Sequence, residues 1–378
     1  MDWSTCSPDI ILLIFKYLDY KNLVTCLSVC KSWRNLVDYM GQVNNMWDKL
    51  GQEAIYNKGV TYKQKSLLSW RDLYFNSLLW QKYAHYKVVN VIKFDNINNI
   101  HVYKDNLIVV LDLAVEYYNV ETLTKVRKKP YMLDCQESEH MTVVLTSKNN
   151  LTIKFKQNHL PFSAECYQYK LIDEYCFVID TKNVLWVYNN YEGVFVRRAL
   201  MRCYDRLGSI LDINLYKNDV YILKQNGSIL RAKGLELEVE TVAKVPMLKL
   251  FNASVLSMFQ KHSIVYNVPR KERSEFFNVV AISDSEMVLE CPGLTCAMPH
   301  GDIMILGYDD GNIVICNPQQ SAIVKNPYLQ FNVKDIANHT MKDPAIRALD
   351  VYEAKGMHYL FATTNSALFK IIIAHDND

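Results

Sequence analysis

The chain has 378 residues, of which 50% are hydrophobic and 22% charged, with a formal net charge of +2 at pH 7. That balance is ordinary for a globular protein and excludes the electrostatic footprint of a nucleic-acid binder. No run of 18 apolar residues could span a bilayer, no basic segment leads into an apolar signal core, and the ten cysteines follow no framework spacing. The expectation is a non-secreted protein with reduced thiols, no membrane segment and a place in cytoplasm, nucleus or both.

Residues 7–50 carry three short apolar segments. Ser7, Pro8 and Asp9 make a helix start: Ser as cap, Pro in the first turn, an acid near the positive end. Ile10, Ile11, Leu13, Ile14, Phe15 and Leu18 then give an apolar surface too broad for a solvated helix. Asp19 can cap a second helix bearing Leu23, Val24, Cys26 and Leu27. Ser28 or Cys30 opens a third, with Val29, Trp33, Leu36 and Val37 at helical spacing, and Trp47 and Leu50 close the unit. So short a unit with so much apolar surface is too small to stand alone, so a partner or the rest of the chain should cover the excess.

The stretch resembles an F-box. Ile14-Phe15-Lys16-Tyr17-Leu18, Asp19 with Leu23, Val29-Cys30-Lys31-Ser32-Trp33-Arg34 and Met46-Trp47-Asp48-Lys49-Leu50 fall in the family's register. The start departs from it: Asp9 stands where the family has Glu, Cys6 where it has Leu, Ser7 where it has Pro, and Pro8 lies one place late. The resemblance implies binding of a Skp-family adaptor, which itself hangs on a cullin scaffold carrying a RING subunit. Pro8, Ile11, Phe15, Leu18, Leu23, Val29, Cys30 and Trp33 would be shared between that interface and the core beneath it. The plain alternative is a three-helix cap on a larger domain.

Residues 51–65 are polar and irregular and read as a connector. A helix is predicted over 67–83, where Leu67, Leu68, Trp70, Leu73, Tyr74, Leu78 and Trp80 recur at three- and four-residue spacing. The run from Ser69 to Tyr74 is similar to the segment that often follows an F-box. Domains are therefore expected at 1–50, the F-box; 51–85, a helical linker; and 86–378, a β domain.

From about residue 86 the period becomes two, and β-branched and aromatic residues take over. Strand pairs joined by tight polar turns recur at 107–111 with 115–118, 141–146 with 151–155, 176–179 with 184–188, 220–223 with 228–231, 263–266 with 276–281, 303–306 with 312–316, and 359–363 with 367–373. Their turns lie about 42 residues apart on average, the length of a four-stranded propeller blade. Seven units imply seven blades; six or eight blades, or a pair of sandwiches, also fit the uneven spacing. The run 86–94 lacks a hairpin partner and is expected to close the ring as the outermost strand of the last blade. The domain resembles the WD-repeat family loosely, with Asp310-Gly311 the closest approach to its signature dipeptides. The fold class is mainly β with an α-helical N-terminus.

Catalytic motifs are missing: no Gly-rich phosphate loop, no nucleophile elbow, no His-Glu-x-x-His. The nine histidines sit apart in the chain. Cys26 with Cys30, and Cys291 with Cys296, lack the further ligands zinc needs. No catalytic residue, cofactor or metal is expected, and acids such as Asp309, Asp310, Asp284 and Glu286 read as turn charges. Cations on the turns are a candidate substrate surface: Lys148, Lys182, Lys224, Arg270, Lys271 and Arg273, with Arg197, Arg198, Arg202 and Arg206 in a neighbouring connection. Such a ring suits phosphorylated or acidic segments, although Asp309, Asp310 and Glu272 on the same face favour a solvated rim of mixed charge. The run from Val126 to Lys129 reads as a strand end on an exposed edge.

The function these features imply is a substrate receptor of an SCF-type ubiquitin ligase, itself non-catalytic, with an unidentified protein substrate on the β domain. A scaffold that uses the adaptor without ubiquitylation, and a propeller enzyme with a helical prefix, are the alternatives.

Overall fold

The computed structural model describes residues 6–56, 68–80, 84–146, 150–156, 161–172, 174–182, 184–191, 194–202, 208–216, 219–234, 239–245, 254–259, 262–267, 279–281, 288–290, 293–301, 303–316, 327–336, 343–354 and 356–375. Helix α1 (Pro8–Phe15) starts at Pro8, whose ring presets a helical φ. Ser7 caps it through its backbone, its carbonyl accepting the N–H groups of Ile10 and Ile11 at 3.1 and 3.2 Å, and its hydroxyl makes no cap bond. Helix α2 (Tyr20–Cys26) is capped by the Asp19 carboxylate, which accepts the Asn22 N–H at 2.8 Å. Helix α3 (Lys31–Val43) begins at Cys30, whose Sγ accepts the Trp33 N–H at 3.5 Å, so Cys30 and not Ser28 is the start.

Helix α4 (Met46–Tyr56) runs into the stretch read as a connector. Packing overrides the polar sequence there, because Gly51 lies against Trp70 so closely that a Cβ would stand 2.9 Å from its ring. Helix α5 (Trp70–Leu79) is shorter than the predicted 67–83, since Ser69 caps it and accepts the Asp72 N–H at 3.2 Å. Ile11, Phe15, Leu23, Val37, Met40, Met46, Trp47 and Leu50 form one buried cluster.

The β domain begins with β1 (Ala84–Lys93). The first blade is β2 (Ile97–Tyr103), β3 (Asn106–Leu111), β4 (Ala114–Asn119) and β5 (Lys125–Pro130). The second is β6 (Met132–Glu137), β7 (Met141–Thr146), β8 (Asn150–Phe155) and β9 (Phe162–Glu165). The third is β10 (Gln168–Ile172), β11 (Tyr175–Ile179), β12 (Val184–Tyr191) and β13 (Val194–Arg202), and the fourth β14 (Ile210–Tyr216), β15 (Asp219–Lys224), β16 (Ser228–Ala232) and β17 (Val239–Lys244). Next come two short ladders, β18 (Ser254–Phe259) with β19 (His262–Asn267), and β20 (Val279–Ala281) with β21 (Val288–Glu290). The fifth blade is β22 (Leu294–His300), β23 (Ile303–Tyr308), β24 (Asn312–Cys316) and β25 (Leu329–Asn332). In the sixth, β26 (Ala348–Ala354), β27 (Met357–Thr363) and β28 (Ala367–His375) are completed by β1, antiparallel to β28.

Among the described residues the propeller shows six four-stranded blades, where seven were expected. The expected fifth unit gives the two short ladders instead, packed between β14 and β22.

Neighbouring inner strands are stitched by side chains. Asp134, Asp212 and Asp350 each turn back to accept the N–H of the following residue at 2.8–2.9 Å. The second oxygen of Asp350 accepts the Val102 N–H on β2 at 2.6 Å, and that of Asp212 the Leu256 N–H on β18 at 2.8 Å. Gln136 accepts the Leu171 N–H on β10 at 3.0 Å.

Candidate functional site

Helix α1 has two apolar faces. Ile11 and Phe15 point inward, Phe15 edge-on to Trp33 with ring centroids 5.2 Å apart. Leu23 is likewise buried, Leu18, Cys30 and Trp33 are half-buried, and Pro8 and Val29 are exposed. Of the eight residues expected to serve the adaptor, Ile11, Phe15 and Leu23 therefore build the core. The outward stripe is Ile10, Leu13, Ile14 and Tyr17, which are 51, 56, 40 and 90% exposed at three- and four-residue spacing. Their apolar character was visible in the sequence; their direction was not. Four large apolar side chains are thus left in water on one face of the F-box match's first helix and the turn after it.

The joint is held at both ends of α5. Towards the helical unit, Arg71 donates to both Asp38 oxygens at 2.8 and 3.2 Å, and its guanidinium lies over the rings of Trp47 and Phe75. Towards the propeller, Asn76 donates to Glu353 Oε2 at 2.7 Å and to the Ala354 carbonyl at 2.6 Å, and accepts the Gly356 N–H at 3.1 Å. Trp80 stacks on His358 at 4.2 Å, with His300 and His375 edge-on at 5.7 and 5.2 Å. Histidines that sit apart in the chain thus meet around Glu353. Burial would raise that carboxyl, but His358 and His300 outweigh it and hold Glu353 well below the usual carboxylate range. Among the described residues no group of three or more His, Cys, Asp or Glu is arranged to hold a metal ion.

These contacts fall at the β26–β27 turn and at the ends of β22 and β28 on the same side. Turns alternate between the two faces of a meander, so α5 occupies the face opposite the β11–β12 and β15–β16 turns. On that opposite face a cleft of about 420 Å³ lies between the third and fourth blades, lined by Tyr167, Asp180, Thr181, Ser209 and Gln225. Asp180 accepts the N–H groups of Lys182 and Val184 and the Trp186 indole N–H at 2.8–2.9 Å. Burial raises its carboxyl, but those bonds prevail and hold it below the ordinary value.

Of the six cations expected to form the substrate surface, Lys182 and Lys224 are among the described residues. Lys182 is exposed, but Lys224 is fully enclosed, and its Nζ donates to the Gly208 carbonyl at 2.9 Å. Lys224 therefore presents no ammonium to a ligand. Arg197, Arg198 and Arg202 belong to strand β13 rather than a connection. Lys148, Arg206, Arg270, Lys271 and Arg273 lie outside the described residues. The run from Val126 to Lys129 is in β5, where Lys128, with Lys125, pairs with Glu116 at 3.2 and 2.7 Å and Arg127 with Glu137 at 3.3 Å.

Among known families, the F-box domain matches residues 3–42. No curated protein sequence matches the chain. The propeller is similar in fold to the crystal structure of the N-terminal domain of Nup159, with a TM-score of 0.54 and 11% identity over 78% of this chain and 96% of that one. It is also similar to the β-propeller domain of Myceliophteria thermophila Cps50 (Swd1), with a TM-score of 0.50 and 11% identity over 77% of this chain and 100% of that one. The chain therefore carries an F-box domain followed by a β-propeller, and no helix among its described residues is long and apolar enough to cross a membrane.

Proposed function

We propose that this F-box and propeller protein is the substrate-recognition subunit of an SCF-type ubiquitin ligase. The observation that carries the reading is the outward stripe of Ile10, Leu13, Ile14 and Tyr17, which lies within the F-box match. A Skp-family adaptor would cover that stripe, joining the chain to cullin and RING subunits, and the propeller would hold a protein substrate. The chain itself supplies no chemistry. Its contribution is to convert an encounter between substrate and charged conjugating enzyme into an effectively intramolecular step. The joint at α5 supports this, because a receptor works by fixing the distance between its two ends.

The test is the affinity of the intact chain for a purified Skp-family adaptor, compared with Leu13→Asp. Removing one buried apolar anchor at an interface centre costs about 2–3 kcal/mol, and burying a charge adds to it, so binding should fall by about 100-fold or more. Helical content should hold in Leu13→Asp, whose site is exposed, whereas Phe15→Ala should lose it through the cavity under Trp33. Failure of a well-folded intact chain to bind, or full affinity in Leu13→Asp, would overturn the proposal. Adaptor binding without recruitment of a cullin would instead favour a scaffold.

A further inference from the structure

Helix α5 has no solvent face. From Trp70 to Trp80 every residue is half-buried or buried, although the run includes Arg71, Asp72, Asn76 and Ser77. A helix that merely linked two units would keep an exposed polar side. Instead the two units cover it from opposite sides. Arg71, Tyr74 and Phe75, at three- and four-residue spacing, face the helical unit. Arg71 grips Asp38, and Tyr74 and Phe75 pack on the buried cluster of the F-box, with the Phe75 and Trp47 rings 5.7 Å apart. Asn76 and Trp80, one turn apart on the other side, face the propeller. Trp80 is 3% exposed in the core shared by the fifth and sixth blades, and Asn76, 2% exposed, holds the β26–β27 turn.

Neither side can let go without affecting the other. A ten-residue helix is marginal in water by itself, so packing on both faces is what keeps α5 formed. Leaving the propeller takes Trp80 out of its core and strips the Ala354 carbonyl and the Gly356 N–H of their partner Asn76. It also draws on β1, the strand that closes the ring and that follows α5 in the chain. Leaving the helical unit breaks the Arg71–Asp38 pair and uncovers Trp47. No Gly or Pro between Ser69 and Trp80 offers a ready bend that would let one face move while the other stays.

We propose that α5 is a coupling element shared by two cores: the F-box unit and the closing blade open as one, and a partner seated on either protects both. This goes beyond the receptor reading and does not depend on which partner binds. A ligand that binds only the closed body lowers the open population of every part that opens with it, by the ratio of its concentration to its dissociation constant. Occupancy of the F-box stripe would thereby tighten the ring at its seam.

The test is hydrogen exchange of the full chain in low denaturant, with α3 amides reporting the helical unit and β27 amides the closing blade. In the unmodified chain the most protected amides of both should open together, with the same dependence on denaturant. Arg71→Ala removes contacts to the helical unit, and Asn76→Ala removes contacts to the propeller. Each should lower protection at α3 and β27 alike, by about 10-fold or more. An effect of Arg71→Ala confined to α3, or of Asn76→Ala confined to β27, overturns the coupling. So do two separate unfolding steps in the unmodified chain, a result that needs no variant. A Skp-family adaptor at about 100 times its dissociation constant should raise protection at β27 by about 100-fold, as at α3. A rise at α3 alone overturns the coupling, whereas failure to bind counts against the adaptor reading and leaves the two variants to decide this one.

Discussion

Asp350 closes the propeller, and its loss should be felt there first. The side chain is 2% exposed. One oxygen accepts the Val351 N–H at 2.9 Å and the other the Val102 N–H at 2.6 Å, across the seam between the last blade and the first. Asp350→Ala leaves two buried donors without an acceptor. Each such donor costs about 1–3 kcal/mol, so the substitution should destabilise the propeller by about 4 kcal/mol. Asp350→Asn keeps the shape but can turn only one oxygen to the two donors, and its own NH₂ then meets an N–H. It should cost about 2 kcal/mol. Thermal or denaturant unfolding followed by circular dichroism measures the total. Exchange of the Val102 amide localises it, rising far more than that of amides in β15. A loss below about 1 kcal/mol, or a Val102 amide protected as before, would refute the view that these carboxylates stitch the blades.

Two further predictions concern the helical unit and the first blade. Gly41→Ala should gain about 1 kcal/mol by helix propensity, yet the new Cβ would stand 2.6 and 2.8 Å from Cδ1 and Cε2 of Trp47, whose ring also packs against Arg71 and Phe75. Overpacking should win by about 2 kcal/mol, lowering the melting temperature of the helical unit; a rise would contradict the packing described. Glu116 is buried and bonded by Lys125 and Lys128 and by the Tyr118 hydroxyl at 2.7 Å. Burial raises its carboxyl, but those three bonds together hold it below the ordinary value. A depressed folded value means stability present above the unfolded carboxyl's value of about 4.3 and lost as pH falls through the folded one. Glu116→Gln should therefore be less stable than the parent at pH 7 and converge with it near about pH 3, and an equal gap at both pH values would count against the pairing.

Local signals read well and long-range ones did not. Asp19 caps α2 and Pro8 opens α1 because both act on backbone within one turn. Six of the seven strand pairs were legible because the hairpin turn fixes register between neighbours in sequence, whereas 263–267 pairs with 254–259 rather than with 276–281. Blade count was not, since it depends on whether the chain between β19 and β20 completes a sheet. Ile14 and Phe15 illustrate the same limit at one residue's spacing. Both are large and apolar, and residues distant in sequence, such as Trp33, eighteen residues on from Phe15, and Val37, set which of them faces the core. The Glu353 cluster draws on α5, β22, β26, β27 and β28, and nothing in the spacing of His300, His358 and His375 announces that they meet.

The position of α5 also bears on what the propeller can hold. The helix takes the face of the β26–β27 turn, opposite the β11–β12 turn. On that opposite face Lys224 is spent on the Gly208 carbonyl and Asp180 on three N–H donors, leaving Tyr167, Thr181, Ser209 and Gln225 to line the cleft between blades. Those groups recognise a ligand by one hydrogen bond at a time and by the face of a tyrosine. No arginine is among the described residues lining this cleft, so those residues make no bidentate guanidinium clamp on a phosphate.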